Sequence, residues 1–575
     1  MTAVALKQGR PPHLPRLRAP FVFGALLLLF AALVGRSLYL QGIDNTFLQE
    51  QGSARYSREI EVPAYRGRIV DRAGELLAIS TPVKSIWAFP GDVELTPGEL
   101  RTLAGVLETT PTAIAKKLAD GGDFVFLARG IPPEMAERVA ALKLKGIHDQ
   151  REYRRYYPAG DTMSHVLGFT GDRDVGQEGI ELAQQEWLGG KPGSRRVIIN
   201  RRGDVVEDVE AIRAPQAGRD LALALDARLQ YLAFRELKAA VELHRAKAGG
   251  LAILDAQSGE ILALANWPTY NPNARNKVAR EKMRNRALTD VFEPGSTMKP
   301  FTIASALEAG TVRVDTLIQT AGGALTIGAN TIHDAHASGP LTVEQVIQKS
   351  SNVGAARIAL GLPSEVLWRT LSEAGFGAAP RTGFPGEVAG RLRPARTWKP
   401  IEQATMAYGH GLSVNLVQLA RAYTVFAGNG ELKPVTLLKG NGPVAGRPVM
   451  HPETSLAVRR MLELAVMPGG TAPKAQIPGY RVAGKTGTAH KLEGRGYTNK
   501  YVASFVGFAP ASNPRLIVAV MIDEPSAGAY YGGAVAAPVF ASVTGSALRL
   551  LGVPTDAPAN NVILPPEGAE VREET

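Results

Sequence analysis

The sequence has no cysteine among its 575 residues. Disulfide bonds, zinc sites built on thiolates and cysteine nucleophiles are therefore excluded. The absence leaves the compartment open, because a large exported protein can rely on its hydrophobic core alone. The length suits three or four domains of about 150 residues each. With 45% hydrophobic and 21% charged residues, most of the chain can bury a core.

Acidic residues are fewer than basic ones, 54 against 65, which leaves a net charge of +11. A basic balance suits nucleic acid, an anionic membrane or an anionic polymer as partner. The sequence has no basic run interleaved with aromatic residues and no zinc-finger spacing. We therefore expect no nucleic acid among the partners, and we interpret the charge as a basic surface that faces an acidic envelope.

Long hydrophobic runs are scarce as well, and a single one stands near the N-terminus. No charge occurs from Ala19 to Gly35, and about 20 apolar residues suffice to cross a bilayer. The segment before this run has no acidic residue and carries Lys7, Arg10, Arg16 and Arg18. Because basic flanks stay in the cytoplasm, we predict a cytoplasmic tail at 1–19, a transmembrane anchor at 20–41 and export of the rest.

A cleaved signal peptide is the alternative to a retained anchor. Cleavage requires small residues just before the cut, whereas the candidate sites place Phe30 or Leu33 there. We therefore expect a single-pass protein of the cytoplasmic (inner) membrane, with its N-terminus cytoplasmic and its bulk periplasmic or extracytoplasmic.

Residues 42–215 mix short strands, glycine turns and short helices, which predicts a first exported domain. RGRIVDRAGELLA (Arg66–Ala78) is typical of a strand, a turn and a second strand. LTPGELRTLAGVLE predicts a helix with Thr96 as its cap and Pro97 in its first position. At the other end of the chain, residues 554–575 are rich in proline and acid and predict a flexible tail.

Residues 216–553 predict a larger domain. Asp226 is placed to cap a helix. The apolar face predicted for this helix comprises Leu229, Leu232, Ala233, Leu237, Val241 and Leu243. Two apolar runs around Asp255–Gly259 predict a hairpin buried on both faces. Two further strands joined by Pro510–Pro514 and a closing helix at Ala536–Gly552 complete an α+β layered domain.

EPGSTMKPF places a serine and a lysine three positions apart, at Ser296 and Lys299. A serine needs a base to take its proton, and a lysine one helical turn away lies on the same face. A helix that opens at Ser296 and stops at Gly310 would bury Lys299, and burial lowers the pKa of a lysine so that it can act as a base. Alone the pattern is weak, because it occurs by chance on many helix surfaces.

QKSSNVG places Ser350 and Asn352 in a short loop between two helix-like stretches. A hydroxyl and an amide two positions apart in such a loop can both face a cleft. The alternative is a pair of helix-capping residues, which is the commoner use of serine and asparagine at this kind of position.

VAGKTGTAH contains Lys485, Thr486, Gly487 and Thr488 and predicts a strand. Alternation along a strand sends Lys485 and Gly487 to one face and Thr486 to the other. Gly487 would let a substrate approach the backbone closely. The backbone amides of Ser296 and Thr488 are then placed to form an oxyanion hole.

The segment from Gly479 to Thr486 also matches the Walker A phosphate-loop pattern. A phosphate loop needs a strand before its first glycine and a helix after its threonine, whereas prolines precede this segment and a polar, glycine-rich stretch follows. We therefore reject a nucleotide site. His333 and His336 have a metal-like spacing but no third ligand, so we expect no metal and no cofactor.

In this order, the three motifs resemble the Ser-x-x-Lys, Ser-x-Asn and Lys-Thr-Gly set of the penicillin-binding protein and β-lactamase superfamily. The wider resemblance runs from the anchor to about residue 552 and is to class B penicillin-binding proteins. Segments that look like their pedestal and catalytic domains are Arg66–Ala78, Arg154–Gly171, Gly176–Gly193, Met406–Gly430 and Tyr530–Phe540. The last two, with KSSNVG, look most like the division-specific (septal) members.

This resemblance implies an α+β fold with a single N-terminal transmembrane helix. An elongated, non-catalytic pedestal (dimerisation-like) domain would occupy 42–215. A transpeptidase domain of an antiparallel sheet flanked by helices would occupy 216–553. The implied activity is that of a peptidoglycan D,D-transpeptidase that forms peptide cross-links during septal cell-wall synthesis.

The resemblance also implies roles in the site. Ser296 would attack the penultimate carbonyl of a stem peptide that ends in D-Ala-D-Ala, with Lys299 as base. Ser350 would help to protonate the departing D-Ala, Asn352 would orient the donor amide, and Lys485 would hold the terminal carboxylate. The implied site residues are the catalytic Ser296, Lys299, Ser350, Asn352 and Lys485 and the substrate-binding Thr486, Gly487 and Thr488.

The implied partners are peptidoglycan stem peptides, β-lactam antibiotics that mimic the donor, a membrane-embedded glycan polymerase and other division proteins. Three alternatives stay open. An elongation-specific transpeptidase would share every motif. A β-lactamase would need neither anchor nor pedestal, and a β-lactam sensor would need several membrane spans and a cytoplasmic signalling segment.

Overall fold

The structure is a computed structural model, and it describes residues 18–40, 57–122, 124–171, 174–199, 205–275, 278–494 and 496–564. The chain divides into two compact units. The first takes its described residues from Met1–Ala64, Val83–Arg151 and Lys191–Gln216, and the second from Tyr65–Pro82, Glu152–Gly190 and Ala217–Thr575. Stretches of the chain alternate between the two units, so the units are not contiguous in sequence. The domain boundaries at 42–215 and 216–553 remain predictions.

The N-terminal apolar run forms a helix, Arg18–Leu38, as its composition predicts. Its 21 residues extend over about 31 Å at a rise of about 1.5 Å per residue, which matches the hydrocarbon core of a bilayer. Within the described ranges this is the one helix long and apolar enough to cross a membrane. The predicted cytoplasmic tail, residues 1–19, lies outside the described residues except for its last two.

The first unit contains a three-stranded antiparallel sheet. Its strands are Ser57–Val62, Gly193–Ile199 and Val205–Arg213. The other strands that contribute are Leu76–Ala88, Val125–Ile131 and Ile147–Tyr156, and the helices are Pro97–Val106, Pro111–Asp120 and Pro133–Ala141. The predicted cap is confirmed: Thr96 Oγ1 accepts the amide of Glu99, and the Glu99 carboxylate accepts the amide of Thr96.

The second unit begins with the predicted strand, turn and strand. Ile69–Val70 pairs with the start of Leu76–Ala88 in antiparallel register. The Asp71 carboxylate closes the turn by accepting the amides of Ala73 at 2.7 Å and Glu75 at 2.8 Å. The short elements that follow in this unit are Gly160–Thr162, Ser164–Leu167, Phe169–Thr170, Gly176–Glu178, Gly179–Ala183, Gln185–Leu188 and Leu221–Ala222.

A buried ion cluster holds these early segments of the second unit together. Glu181 is 0% exposed and accepts hydrogen bonds from Nε of Arg66 and Nε of Arg155, each at 2.7 Å. Arg66 also donates to Oε1 of Gln185 at 2.7 Å. A buried carboxylate is tolerated only when it is paired and hydrogen-bonded, and two guanidinium groups meet that requirement here.

A five-stranded antiparallel sheet forms the centre of the second unit. We number its strands in chain order as β1 (Ala248–Asp255), β2 (Ile261–Trp267), β3 (Ala483–Glu493), β4 (Gly496–Ala509) and β5 (Leu516–Asp523). Their order across the sheet is β2-β1-β5-β4-β3, so β3 is an edge strand. The hairpin predicted around Asp255–Gly259 and the strand pair predicted around Pro510–Pro514 are confirmed.

Helices cover both faces of this sheet, which explains why its strands are apolar on both sides. Ala227–Leu243 and Ala537–Leu550 pack on one face. The helical middle of the chain packs on the other face. Its α-helices are Arg286–Thr289, Lys299–Glu308, Val343–Gln348, Asn352–Leu360, Ser364–Glu373, Pro400–Met406, Leu416–Ala422, Thr424–Ala427 and Pro452–Leu464.

The helix after Asp226 begins as predicted, because the Asp226 carboxylate accepts the amides of Arg228 and Leu229. Its predicted apolar face is wrong at one position. Leu243 is 73% exposed, whereas Val241 is buried. At about 100° per residue, a position two residues after a buried one points to the opposite side of the helix.

The predicted flexible tail at 554–575 is wrong for the part that the structure describes, residues 554–564. Asp556 accepts the amide of Arg481 at 2.7 Å and the hydroxyl of Ser512 at 2.7 Å. Asn561 accepts the amide of Gly479 at 3.0 Å. Composition suggested a tail, but these short polar side chains bond to backbone and side-chain groups of the turns before β3 and β5 instead.

The buried ion cluster yields a stability prediction. Glu181→Gln removes the charge that compensates Arg66 and Arg155 and leaves two buried guanidinium groups. We expect the free energy of unfolding to fall by about 3–5 kcal/mol. Urea denaturation of the detergent-solubilised protein, followed by circular dichroism, measures this loss.

The exposed pair of Arg68 and Asp220 is the matched control. Their side chains are 53% and 47% exposed, so Asp220→Asn should cost less than about 1 kcal/mol. Equal losses in the two variants would contradict the assignment of the Glu181 cluster as a buried structural centre.

Candidate active site

The predicted nucleophile lies in a tight turn rather than in an α-helix. Ser296 belongs to the 3₁₀ turn Gly295–Met298, and the α-helix begins only at Lys299. The prediction of a helix that opens at Ser296 is therefore wrong by one turn. Gly295 has φ +56°, a left-handed backbone conformation that glycine adopts readily. This conformation changes the direction of the chain sharply just before Ser296, where the tight turn forms. Ser296 is 6% exposed.

The side-chain amine of Lys299 is the centre of the site. The residue is 0% exposed. Its Nζ lies 2.8 Å from Oγ of Ser296 and 2.7 Å from Oδ1 of Asn352. It also lies 2.5 Å from the carbonyl oxygen of Ser350 and 3.1 Å from Oγ of Ser350. The structure thus brings together all four residues predicted from the first two motifs.

The chemistry of these neighbours fits both protonation states of Lys299. The Ser350 carbonyl and the Asn352 amide oxygen can only accept hydrogen bonds, whereas the Ser296 hydroxyl can also donate one. A neutral amine has two N–H groups for the two carbonyl oxygens and one lone pair for the Ser296 proton. The ammonium form can donate to the same three atoms. A proton can therefore pass from Ser296 to Lys299 without any heavy atom moving.

The loop that carries Ser350 has an unusual backbone. Ser350 has φ +59°, a conformation that non-glycine residues seldom adopt and that often marks functional sites. Ser351 caps the helix Asn352–Leu360 by accepting the amide of Gly354 at 2.8 Å. The helix cap is therefore Ser351 and not the pair Ser350 and Asn352, whose side chains contact Lys299 instead.

Asp334 fixes this loop and was missed by the sequence analysis. Its carboxylate accepts the Ser351 hydroxyl at 2.6 Å and the amide of Val353 at 2.9 Å. Asp334 directly follows a hairpin of two strands, Ala324–Ile327 and Asn330–His333. The same hairpin holds Asn352, whose Nδ2 donates to the carbonyl of His333 at 3.2 Å. No local pattern signals these contacts, since they join residues about 20 positions apart across two elements.

The predicted Lys-Thr-Gly strand is confirmed as the edge strand β3. Lys485 is 0% exposed, and its Nζ lies 3.0 Å from Oγ1 of Thr486 and 3.5 Å from Oγ1 of Thr471. The two threonine hydroxyls are 2.9 Å apart. The cation and these hydroxyls form a cluster of hydrogen-bond donors, which is the chemistry that binds a carboxylate.

Gly487 packs against the nucleophile turn. A Cβ on Gly487 would lie 2.6 Å from the carbonyl oxygen of Pro294 and 3.0 Å from Cγ2 of Thr297. Protein atoms therefore fill the space that a side chain would take, and the glycine lets the turn approach the strand backbone closely. The predicted approach of a substrate to the backbone of Gly487 stays a prediction.

Thr488 lies beside the same turn. A Cβ on Gly295 would lie 3.1 Å from the carbonyl oxygen of Thr488, so the backbones of the turn and the strand are adjacent where the oxyanion hole is predicted. The Thr488 side chain is engaged by the amide of Gly532, which donates to Oγ1 at 3.0 Å. The oxyanion role of the Ser296 and Thr488 amides remains a prediction.

The rival Walker A interpretation fails on geometry. Lys485 and Thr486 lie inside β3, and β4 follows β3 where a phosphate loop needs a helix. In the part of the chain that the structure describes, no group of three or more His, Cys, Asp or Glu side chains is placed to hold a metal.

A polar and aromatic wall next to the nucleophile was also missed. Glu293 accepts the amide of Gly411 at 2.9 Å and the hydroxyl of Tyr497 at 3.1 Å, and burial raises the pKa of Glu293. The ring of His410 lies 6.0 Å from that of Tyr497. Burial, reinforced by the charges of His490 and Lys299, lowers the pKa of His410 to about 4, so it is neutral at pH 7.

Two family descriptions match the chain. Residues 249–545 match the penicillin binding protein transpeptidase domain, which covers more than half of the chain. Residues 61–223 match the penicillin-binding protein dimerisation domain.

Named relatives match over nearly the whole length. The probable peptidoglycan D,D-transpeptidase PenA of Neisseria gonorrhoeae is 42% identical over 558 residues, 96% of each chain. The peptidoglycan D,D-transpeptidase FtsI of Escherichia coli (strain K12) is 42% identical over 549 residues, 94% of this chain and 93% of its own.

Two solved structures support the fold. The transpeptidase domain of Burkholderia pseudomallei penicillin-binding protein 3 is 51% identical, has a TM-score of 0.54, and is matched over 58% of this chain and 98% of its own. A peptidoglycan synthetase from Bifidobacterium adolescentis is 24% identical with a TM-score of 0.69, over 88% of this chain and 99% of its own. The second likeness concerns the fold alone.

The close packing at Gly487 yields a prediction. Gly487→Ala places a methyl group into the carbonyl of Pro294 and must push the nucleophile turn away from β3. We expect acylation of Ser296 by a fluorescent penicillin to slow by roughly 100-fold, since small displacements of reacting groups cost about this much. Time-resolved labelling on gels measures the rate.

Gly496→Ala is the matched control on the neighbouring strand of the same hairpin. A Cβ on Gly496 meets nothing within 4 Å, so the rate should stay within about twofold of wild type. A folded Gly487→Ala variant that labels as fast as Gly496→Ala would refute the packing role of this glycine.

Proposed function

This chain is a class B penicillin-binding protein, a member of the peptidoglycan D,D-transpeptidases, and on that premise we propose that it cross-links septal peptidoglycan through an acyl-enzyme on Ser296. The observation that carries the proposal is the fully buried amine of Lys299, 2.8 Å from the Ser296 hydroxyl. A serine is a weak nucleophile until an adjacent base takes its proton, and Lys299 is in position to do so.

Acylation begins when Ser296 Oγ attacks the penultimate carbonyl carbon of a stem peptide that ends in D-Ala-D-Ala. The proton of Oγ passes to Lys299 as the new C–O bond forms. The carbonyl oxygen becomes negatively charged, and the amides of Ser296 and Thr488 are the donors proposed to stabilise it. Fixed backbone amides that stabilise such an oxyanion usually make a large contribution to the rate of acyl transfer.

The leaving group is the terminal D-Ala, whose nitrogen needs a proton before the C–N bond breaks. Ser350 Oγ lies 3.1 Å from Nζ of Lys299, so a proton taken from Ser296 has a short route to the departing amine through Ser350. Lys485 and Thr486 are proposed to bind the terminal carboxylate, and Asn352 to orient the donor amide. The acyl-enzyme is then resolved by an amine from a neighbouring stem, which restores the Ser296 hydroxyl.

β-Lactams are expected to acylate the same serine, because their strained amide and carboxylate present the donor's groups. Once the ring has opened, the leaving nitrogen stays tethered and no D-Ala departs. Every step proposed here uses protein side chains and backbone amides alone.

The helix Arg18–Leu38 is proposed as a retained single-pass anchor with the N-terminus in the cytoplasm. The basic residues before it support this orientation, and the substrate lies outside the membrane. A membrane-embedded glycan polymerase and other division proteins are the proposed partners, since neither domain that matches the chain is described as a polymerase.

The proposed base yields a prediction. Lys299→Arg keeps a cation in the site but cannot act as a base near neutral pH. We expect the acylation rate by a fluorescent penicillin to fall by roughly 100-fold or more. Ser296→Ala should label only at background, and mass spectrometry of the wild type should find the adduct on the peptide that contains Ser296.

Lys439 offers a control, because its side chain is exposed and its backbone amide donates to Ala222, which is not a site residue. Lys439→Arg should therefore label like wild type. A folded Lys299→Arg protein with an unchanged rate would exclude the base role. An adduct on any other serine would exclude Ser296 as the nucleophile.

The septal role yields a second prediction. Depletion of this protein in the bacterium that encodes it should block division and leave elongation running, so cells should grow into filaments. Microscopy during depletion measures cell length. Expression of the wild-type chain should restore division, whereas expression of Ser296→Ala should not. Round cells in place of filaments would instead identify an elongation-specific transpeptidase.

A further inference from the structure

A cavity of about 540 Å³ lies in the second unit and takes no part in the proposed acyl transfer. Its walls come from three segments: the chain just before β1 (245–247), the first half of β4 (499–501) and the chain that follows β5 (524–530). Among the described residues that line it, none is a predicted site residue. Its volume and its several polar groups are typical of a ligand site.

Hydrogen bonds hold the three walls of this cavity against one another. The amide of Ser526 donates to the carbonyl of His244 at 2.9 Å, and its hydroxyl donates to the carbonyl of Arg245 at 2.8 Å. The amide of Glu524 donates to the carbonyl of Tyr501 at 2.9 Å. The walls are therefore held in place by the protein itself, which spares a ligand the cost of ordering them.

Three lysines share the carboxylate of Glu524, which lines the cavity. It lies 3.0 Å from Nζ of Lys247, 2.7 Å from Nζ of Lys491 and 3.7 Å from Nζ of Lys500. Burial alone would raise the pKa of Glu524, but the hydrogen bonds and charges of Lys491 and Lys247 lower it to about 2. Each ammonium has three N–H donors, so one carboxylate leaves several of them for another acceptor.

The charges around the cavity do not balance. Lys491 also pairs with Asp523 at 2.7 Å, and Lys500 pairs with Glu493 at 2.8 Å, so the three lysines face three carboxylates in all. Exposed Arg245 is an additional cation, and among the described residues it has no carboxylate partner. Its positive charge is therefore left over, beside the two lysines that line the same cavity.

Two residues that line the cavity have an unusual backbone. Arg245 has φ +46° and Glu524 has φ +53°, in the left-handed region that residues other than glycine seldom adopt. Such conformations cluster at ligand clamps and active sites, where the surrounding structure keeps them in place. Here they bring the additional cation and the shared carboxylate into one cavity.

A row of aromatic rings forms part of the wall. The ring of Tyr530 lies 4.2 Å from that of Tyr501 and 4.2 Å from that of Tyr531, and the ring of Tyr501 lies 4.6 Å from that of His490. Tyr501 and Tyr530 line the cavity, and each has a ring packed on either side, which leaves ring edges rather than ring faces for a ligand. The edge of an aromatic ring carries partial positive charge, so these rings favour an anion as well.

We propose that this cavity is a phosphate-binding site, with the guanidinium of Arg245 as its main contact and the amines of Lys247 and Lys500 beside it. A guanidinium binds phosphate through two parallel N–H bonds. A phosphate is tetrahedral and accepts hydrogen bonds from several directions, which suits donors that come from separate walls. The site goes beyond the proposed function, because the acyl transfer uses no phosphate.

The volume of the cavity indicates what carries the phosphate. About 540 Å³ is in the range of pockets that hold whole small molecules, so room remains for the group to which the phosphate is attached. Because the bulk of the chain is proposed to lie outside the membrane, this ligand is a phosphate ester of the cell envelope. Its phosphate is recognised either alone or together with an attached sugar, and the two cases give different results in the experiment below.

Phosphorus NMR of the full-length protein in a phosphate-free detergent tests the site. N-acetylglucosaminyl phosphate is the probe, and binding broadens its signal. We expect inorganic phosphate to compete with the probe, whereas N-acetylglucosamine and acetate should compete at least roughly tenfold more weakly, since a charge-assisted hydrogen bond gives about this factor. Equal affinities for the probe and inorganic phosphate would assign recognition to the phosphate alone, and a tighter probe would add the sugar.

Two variants on different walls test the contacts. Arg245→Gln and Lys500→Gln should each weaken binding of the probe roughly tenfold. Arg549→Gln is the matched control, because it removes one positive charge from an exposed residue of the helix Ala537–Leu550 that does not line the cavity. It should bind like wild type. Labelling by a fluorescent penicillin at the wild-type rate checks that each variant is folded, since none of the three residues takes part in acyl transfer.

Prior acylation of Ser296 by a penicillin should leave binding of the probe unchanged. If acylation abolished binding, the probe would occupy the proposed carboxylate site at Lys485, and this inference would be overturned. A probe that does not bind, acetate that competes as well as inorganic phosphate, or unchanged binding in both Arg245→Gln and Lys500→Gln would overturn it too. None of these results bears on the acyl-enzyme, which the labelling of Ser296 tests separately.

Discussion

The site depends on a single constraint, the burial of the Lys299 amine among oxygen atoms. A lysine without solvent must satisfy its N–H groups within the protein, because an unpaired buried cation is very costly. The Ser350 carbonyl and Asn352 Oδ1, at 2.5 Å and 2.7 Å, take that role. The Ser296 hydroxyl then completes the set at 2.8 Å, where it can give Lys299 its proton. Placement of the base and activation of the nucleophile are thus one arrangement.

Close backbone packing holds that arrangement against the sheet. The turn of Ser296 lies so near β3 that a Cβ on Gly487 would overlap the Pro294 carbonyl. On the other side, a Cβ on Gly409 would lie 2.1 Å from the carbonyl of Gly295. Glycines on both sides therefore leave the turn little room to move, which suits a reaction that depends on positions fixed to a fraction of an ångström.

Sequence reasoning reached the motifs, the hairpins of the central sheet and the capped helices, because each has a local signal. It failed where the cause is remote in sequence. Asp334 holds the Ser351 loop from a separate hairpin, and Glu293 meets Tyr497 more than 200 positions away. Leu243 shows a different limit: an apolar residue in the last turn of a helix need not lie on its buried face, and composition alone does not reveal this.

The early segments of the second unit, Tyr65–Pro82 and Glu152–Gly190, lie within the predicted pedestal at 42–215 but pack with the catalytic unit. Ile69, Leu77, Tyr157 and Val166 belong to the same hydrophobic core as Leu254 of the central sheet. Residues that share a core bury one another's apolar surface, so neither set is stable in this form without the other. The buried carboxylate of Glu181, paired with Arg66 and Arg155, lies among these segments as well. They are therefore a structural part of the catalytic unit, although they precede its sheet in the sequence.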